Sequence, residues 1–242
     1  MITKSIPSLF TVSNLILGLI ALVLSYQGYT ADAALLVVIG MVLDGLDGRV
    51  ARWLHAESHF GKELDSLSDI VTFGVAPAFI MYNTSLQYDG WVGLVITVLF
   101  PVCGALRLAR FNVQTKTTNY FVGLPITAAG GILATMALYH DLLNPADVIL
   151  PLGMLLLAVL MVSQVRYPNF KKVAFPRSAV VVVPVLALLV FIVFRYHHSA
   201  VNRLIFVPLA VYALYGIGRK FRKRKLKSGK DSESKVYKTS LK

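Results

Sequence analysis

Eight stretches of this 242-residue chain stay apolar for about as long as a helix needs to cross a bilayer, at roughly 7–27, 32–54, 63–85, 90–112, 121–140, 147–165, 178–197 and 202–218. A hydrocarbon core of ~30 Å takes about 20 helical residues, and within it each backbone polar group must be satisfied inside the protein. The connections between the stretches are all short, so no water-soluble domain fits between them. Composition agrees: 56% of residues are hydrophobic and 15% charged, against ~45–50% and ~25% in an ordinary soluble domain. A mean hydropathy of +0.68 is more than a soluble core of this size can hide. The same figures exclude disordered, collagenous and disulfide-rich classes. The lone cysteine, Cys103, permits neither an internal disulfide nor a cysteine-based metal site. The expectation is an all-α, polytopic transmembrane bundle of about eight spans. Residues 1–218 would form one domain, with a core at roughly 1–165 and two extra helices within 178–218. The first run also has features of a signal peptide, with Lys4 before it and Thr30-Ala31-Asp32-Ala33 after it. Its length, and Asn14 within it, favour a first spanning helix.

The net charge of +12 is concentrated at one end. Between Arg219 and Lys242 eleven Lys/Arg face only Asp231 and Glu233, so +9 of the +12 lies there. Such a tail, 219–242, is expected to be disordered, to fix topology, and to attract anionic headgroups at ~1 kcal/mol per basic residue. Nucleic acid is not an expected partner. With both termini on the cytoplasmic side, only Arg195 and Arg203 among the 24 Lys/Arg fall at the outer face, together with Asp32, Asp89, Asp141 and Asp147. A multi-pass protein of the cytoplasmic membrane follows. Tyr26, Tyr29, Tyr82, Tyr88, Trp91 and Tyr196 cluster near the outer ends, as interfacial aromatics do. Pro184 and Pro208 interrupt the last two runs, which hold no acids and are read as packing helices.

The chemistry lies where the apolar runs carry acids. Asp44 and Asp47 are three residues apart, Asp65 and Asp69 four, so each pair shares a helix face. A short link makes the two helices antiparallel neighbours and brings both pairs to a similar depth near the cytoplasmic surface. An aspartate at a helix centre in hydrocarbon costs about 2.5–3.5 kcal/mol, and four together repel. A hard divalent cation answers this, because carboxylates without His or Cys suit Mg²⁺, Mn²⁺ or Ca²⁺ rather than zinc. Four carboxylates allow one or two ions. Gly48 and Ala51 clear space beside the acids. Gly61 would let backbone approach a phosphate at a helix N-terminus, and Arg52 can donate several hydrogen bonds to a phosphate. His55 and His59, in the link, are read as solvated loop residues, and His197 and His198 as interfacial.

The pattern D-x2-D-G-x2-A-R-x8-G-x3-D-x3-D, filled here by Asp44, Asp47, Gly48, Ala51, Arg52, Gly61, Asp65 and Asp69, resembles the signature of the CDP-alcohol phosphatidyltransferases. The resemblance implies a helical membrane domain of at least six spans that displaces CMP from a CDP-linked lipid or alcohol. It makes Asp44, Asp47, Asp65 and Asp69 ligands of Mg²⁺ or Mn²⁺, with Asp69 also the base. Gly48, Ala51, Arg52 and Gly61 would line the CDP pocket. It further implies in-line attack without a covalent enzyme intermediate, and often a homodimer.

Two further segments resemble the serine-using branch of that family. Arg107-Leu-Ala-Arg110-Phe-Asn is followed by Phe121-Val-Gly-Leu-Pro125. Pro7, Thr11, Asn14 and Gly18 follow an opening P-N-x-x-T-x-x-N-x-x-x-G, with Ser8 in place of Asn. The implied reaction carries the phosphatidyl group from CDP-diacylglycerol to L-serine. Asn14 would be a polar contact to the nucleotide, and Arg107 or Arg110 the partner of the serine carboxylate, since planar guanidinium groups suit carboxylates. Rival readings are glycerol 3-phosphate or inositol phosphate as acceptor, an intramembrane prenyltransferase, and a cation-coupled carrier. The prenyltransferase reading fits less well because its acids usually sit on separated helices. The carrier reading fits less well because carriers place their sites near the midplane, at broken helices in repeats.

Overall fold

A computed structural model of the chain describes residues 2–113, 120–140 and 145–168. The two expected helices within 178–218, the basic tail, Arg195, Arg203, His197 and His198 lie outside the described residues. The other six expected helices are all present. Helix α1 (Ile2–Tyr26) is followed by α2 (Thr30–Trp53). The next span is continuous from His59 to Thr84, built from α3 (His59–Asp69), a π-helical segment (Ile70–Val75) and α4 (Ala76–Thr84). A short 3₁₀ turn (Leu86–Asp89) leads into α5 (Gly90–Val113), and α6 (Ile126–Leu138) and α7 (Ala146–Val162) complete the bundle. Among the described residues, three segments are long and apolar enough to cross a membrane, Pro7–Tyr26, His59–Thr84 and Leu86–Val113. Their large side chains, Leu9, Ile16 and Val23 on α1 and Val95, Val98 and Val102 on α5, remain exposed, as expected for a membrane protein whose outer faces meet lipid.

The fifth expected helix starts later than the hydrophobic run suggested. Tyr120–Val122 instead form strand β1, paired antiparallel with β2 (Arg166–Pro168). Gly123 explains the change: its φ of +82° is a left-handed turn that a helix cannot include. A Cβ there would also strike the Met161 carbonyl. Pro125 then starts α6, which at 13 residues is about 20 Å long. This helix is the centre of the bundle, with Ile126, Ala129–Ala137 all buried. Gly130 lets it approach so closely that a Cβ would meet the Phe73 backbone. Phe73, Phe100, Ile80, Met81 and Leu133 fill the core around it.

The two acid-bearing helices are not closely packed where the acids lie. The turn between them closes on His55, in the left-handed region at φ 49°, with Ala56 N–H returning to the Ala51 carbonyl at 2.9 Å. From there α3 packs chiefly against α1, whereas α2 packs against α1 and α6 and meets the third span mainly along α4 and the π segment. The expected antiparallel neighbours are thus a splayed hairpin, with α1 packed against both arms and the acids still meeting across the gap. The third span runs on without a break but changes to π-helical winding at Ile70, directly after Asp69; such single-turn bulges often mark functional sites.

Candidate metal centre and substrate site

Asp44, Asp47 and Asp65 each offer a carboxylate oxygen, and these oxygens lie within 4.8 Å of one another. Asp47 is 5% exposed, while Asp44 and Asp65 are half-buried. Asp69, one turn beyond Asp65, is 7% exposed and lies beside Asp44; its Oδ1 is buried without a hydrogen-bond partner. Acids from two helices therefore converge across the opening between α2 and α3. The donor set is all hard oxygen, which fits a divalent cation of the Mg²⁺ or Ca²⁺ type, and a buried carboxylate oxygen with nothing to bind fits the same group. Asp44, Asp47 and Asp65 are the group whose oxygens all lie within 4.8 Å of one another, and Asp69 adjoins it through Asp44.

Polar groups on α1 and α6 reach into this cluster. Thr11 Oγ1 donates to Asp47 Oδ2 at 2.9 Å, and Thr127, in the first turn of α6, donates to Asp44 Oδ2 at 3.3 Å. Two hydroxyls of the third span fasten α1 beside the acids. Ser68 donates to the Thr11 carbonyl at 3.1 Å, and Thr72 to the Asn14 carbonyl at 3.0 Å. On the outer side of α3, Asn112 donates to Ser66 Oγ at 2.9 Å, tying in the end of α5. Thr127 was not anticipated from the sequence. A hydroxyl four residues after a glycine turn carries no motif of its own, and only the close packing of α6 on α2 reveals it.

The expected substrate-binding residues separate into distinct places. Gly48 is half-buried, and its missing Cβ faces Arg52 Nη1 at 3.7 Å, so the exposed Arg52 folds back beside the space that Gly48 and half-buried Ala51 leave. Gly61 stands at the start of α3, but its N–H is already bonded to Ser58 Oγ at 3.0 Å, as an N-cap requires. A Cβ on Gly61 would lie 3.0 Å from the same Ser58 Oγ. Asn14 is 0% exposed, enclosed where a Cβ on Gly40 would lie 2.6 Å from its Oδ1. The amide is enclosed between α1, α2 and the third span, one turn along α1 from Thr11. Neither Asn14 Oδ1 nor Nδ2 has a hydrogen-bond partner.

Arg107 or Arg110 was expected to meet the serine carboxylate. Arg107 is 8% exposed and stacks over the Phe111 ring at 5.5 Å from its centroid. Arg110 is exposed, and its Nη1 donates to the Val162 carbonyl at the end of α7 at 2.9 Å. Only Arg107 points its charge into the protein. His55 and His59 are both exposed; His55 lies in the turn as expected, whereas His59 is the first residue of α3 rather than a loop residue.

Relatives place this arrangement. The chain is 39% identical over 219 residues to a Helicobacter pylori protein named CDP-diacylglycerol–serine O-phosphatidyltransferase, covering 88% of this chain and 90% of the relative. A Bacillus subtilis protein of the same name is 38% identical over 167 residues, 69% of this chain and 92% of its own length. An archaetidylserine synthase of Methanothermobacter thermautotrophicus is 35% identical over 169 residues, 68% of this chain and 70% of the relative. Residues 4–165, which contain the whole acidic cluster and both arginines, match the CDP-alcohol phosphatidyltransferase profile. With that match across most of its length, and with carboxylates of two helices converging as the pattern requires, the chain belongs to the CDP-alcohol phosphatidyltransferase family.

Proposed function

We propose that this protein transfers the phosphatidyl group of CDP-diacylglycerol to L-serine, giving phosphatidylserine and CMP. The observation that carries the reading is the convergence of Asp44, Asp47 and Asp65 within 4.8 Å on an opened helix hairpin of a membrane protein. The serine-synthase names of relatives that align along most of the chain support the choice of acceptor. Asp44, Asp47, Asp65 and Asp69 are assigned to one or two Mg²⁺ or Mn²⁺ ions. A cation bound there neutralises charge on the donor's pyrophosphate as CMP leaves.

The chain's own residues do the rest. Arg52, beside Gly48 and Ala51, holds the cytidine-side phosphate, and the absence of a side chain at Gly61 leaves the approach over α3 open. Asp69, with Oδ1 unbonded, accepts the proton of the serine hydroxyl during attack. The serine oxygen bonds to the lipid-side phosphorus while the bond from that phosphorus to the bridging oxygen breaks, and CMP departs with that oxygen. Arg107 holds the serine carboxylate, and Arg110 stands at the entrance. Such transfer depends chiefly on positioning and charge stabilisation, so no covalent enzyme intermediate is required. The site is assigned to the cytoplasmic side of the cell membrane, where a lipid-borne donor and a water-soluble acceptor both reach it. Residues 1–165 form the catalytic core, 178–218 two added helices and 219–242 a basic tail. A homodimer is the expected assembly.

The archaetidylserine synthase relative favours a second reading of the lipid, an archaetidyl donor with the same acceptor. Purified protein supplied with CDP-diacylglycerol and Mn²⁺ should release CMP with serine, far more slowly with glycerol 3-phosphate or inositol phosphate, and not at all with EDTA. Preference for a phosphorylated acceptor would overturn the assignment.

A further inference from the structure

The opened hairpin poses a mechanical question. Asp44 and Asp47 stand on α2, whose backbone is not packed against α3 at this level, so a carboxylate there has two rotatable bonds and no opposing helix to orient it. The hydrogen bonds supply what the backbone does not. Thr11, 4% exposed on α1, has one proton and two acceptors in range, the Pro7 carbonyl at 3.3 Å and Asp47 Oδ2 at 2.9 Å. The shorter, charged acceptor is favoured. Thr11 is itself held in place, because its carbonyl accepts from Ser68, the residue before Asp69. From the opposite flank Thr127 donates to Asp44 Oδ2 at 3.3 Å. Each α2 aspartate thus has its Oδ2 held by a different neighbouring helix.

We infer that Thr11 and Thr127 are positioning residues that fix which carboxylate oxygen Asp47 and Asp44 present to the divalent cation, with α1 and α6 gripping the two sides of the metal centre. This rests on the metal assignment proposed above, and it goes beyond that assignment by adding two helices that contribute no ligand. Partners that orient ligating carboxylates commonly govern metal affinity about 10- to 100-fold. The shorter bond and fuller burial make Thr11 the stronger of the two.

The test is Mn²⁺ binding to detergent-purified full-length protein, read by electron paramagnetic resonance without any substrate. Thr11→Val should weaken Mn²⁺ binding by about tenfold or more and Thr127→Val by about threefold to tenfold, while Thr11→Ser, which keeps the hydroxyl, stays within about threefold of the unaltered protein. CMP release should recover in Thr11→Val at saturating Mn²⁺, which a merely structural defect would not allow. Thermal unfolding of each variant separates loss of fold from loss of metal. Unaltered Mn²⁺ affinity in both valine variants, alongside loss of binding in Asp44→Asn, would overturn the inference and leave the metal assignment standing. Failure of the unaltered protein to bind Mn²⁺ would overturn both.

Discussion

The third span and the one after it are close in length and opposite in setting. His59–Thr84 is 26 residues long, and the most apolar 18-residue stretch within it has a mean hydropathy of 1.4 and is 61% buried; Leu86–Val113 is 28 residues long, and its corresponding stretch has a mean hydropathy of 2.1 and is 33% buried. The more polar span is the more enclosed. A soluble protein would arrange these the other way, since water tolerates polar residues and drives apolar ones inward. In a bilayer the cost of exposing Asp65, Asp69, Ser68 and Thr72 to lipid forces them inward, where α1, α2 and α6 surround them. The apolar face of α5 needs no such shelter. Enclosure in this protein therefore follows chemistry, and the one deeply buried charge of α5, Arg107, stands out for the same reason.

The sharpest way to break that contrast is to place amides on both spans. Asp69→Asn is expected to lower the rate of CMP release by about 10²–10⁴-fold with the protein still folded, as loss of a general base does. Val98→Gln on the exposed face of α5 should leave catalysis within about threefold. Equal loss in the two variants would show that burial, rather than chemistry, sets the effect. The arginines of α5 sharpen the comparison within one helix. Arg107→Lys should raise the KM for serine about tenfold or more, because a lysine cannot reproduce the planar donor array. Arg110→Lys, exposed and bonded to a backbone carbonyl, should change it by less than about threefold. Initial rates across a serine titration decide this.

Two glycines of α2 give a smaller, purely structural version. Gly40→Ala sets a methyl group 2.6 Å from Asn14 Oδ1 and 2.9 Å from Thr72 Cγ2, and is expected to destabilise the protein by about 1–3 kcal/mol. Gly45→Ala, with nothing within 4 Å of the new carbon, should be neutral or stabilising by up to ~1 kcal/mol. Thermal unfolding in detergent ranks the pair. Smallest is His55→Gly, which relieves a left-handed backbone at an exposed turn and should stabilise by ~1 kcal/mol or less without changing catalysis.

The acids, their pairing and the helices that bear them could be read from spacing alone, since i, i+3 and i, i+4 intervals fix a helix face whatever the surroundings. The hydrophobic runs likewise located α1 to α5 and α7 to within a few residues. What could not be read depends on which helices are neighbours. The splaying of the α2–α3 hairpin goes with the packing of α1 against both arms, and sequence spacing says nothing about a third helix. The same holds for Asn14, a polar residue whose full enclosure comes from Gly40 and Thr72, and for Thr127, whose carboxylate partner is 83 residues away. The late start of α6 was foreshadowed by Gly123 and Pro125, but an apolar run masks a turn when hydropathy alone is followed. Arg107 and Arg110 share a motif yet differ in burial, because α5 turns one toward the core and the other toward the end of α7.

The central claim is that α2 and α3 hold one cation jointly. Mn²⁺ binding measured on Asp44→Asn and on Asp65→Asn, one change on each helix, tests it most directly. The account predicts that either substitution alone weakens binding by at least about tenfold, and that CMP release falls with it. Binding that survives the loss of either helix's carboxylate undiminished would contradict it.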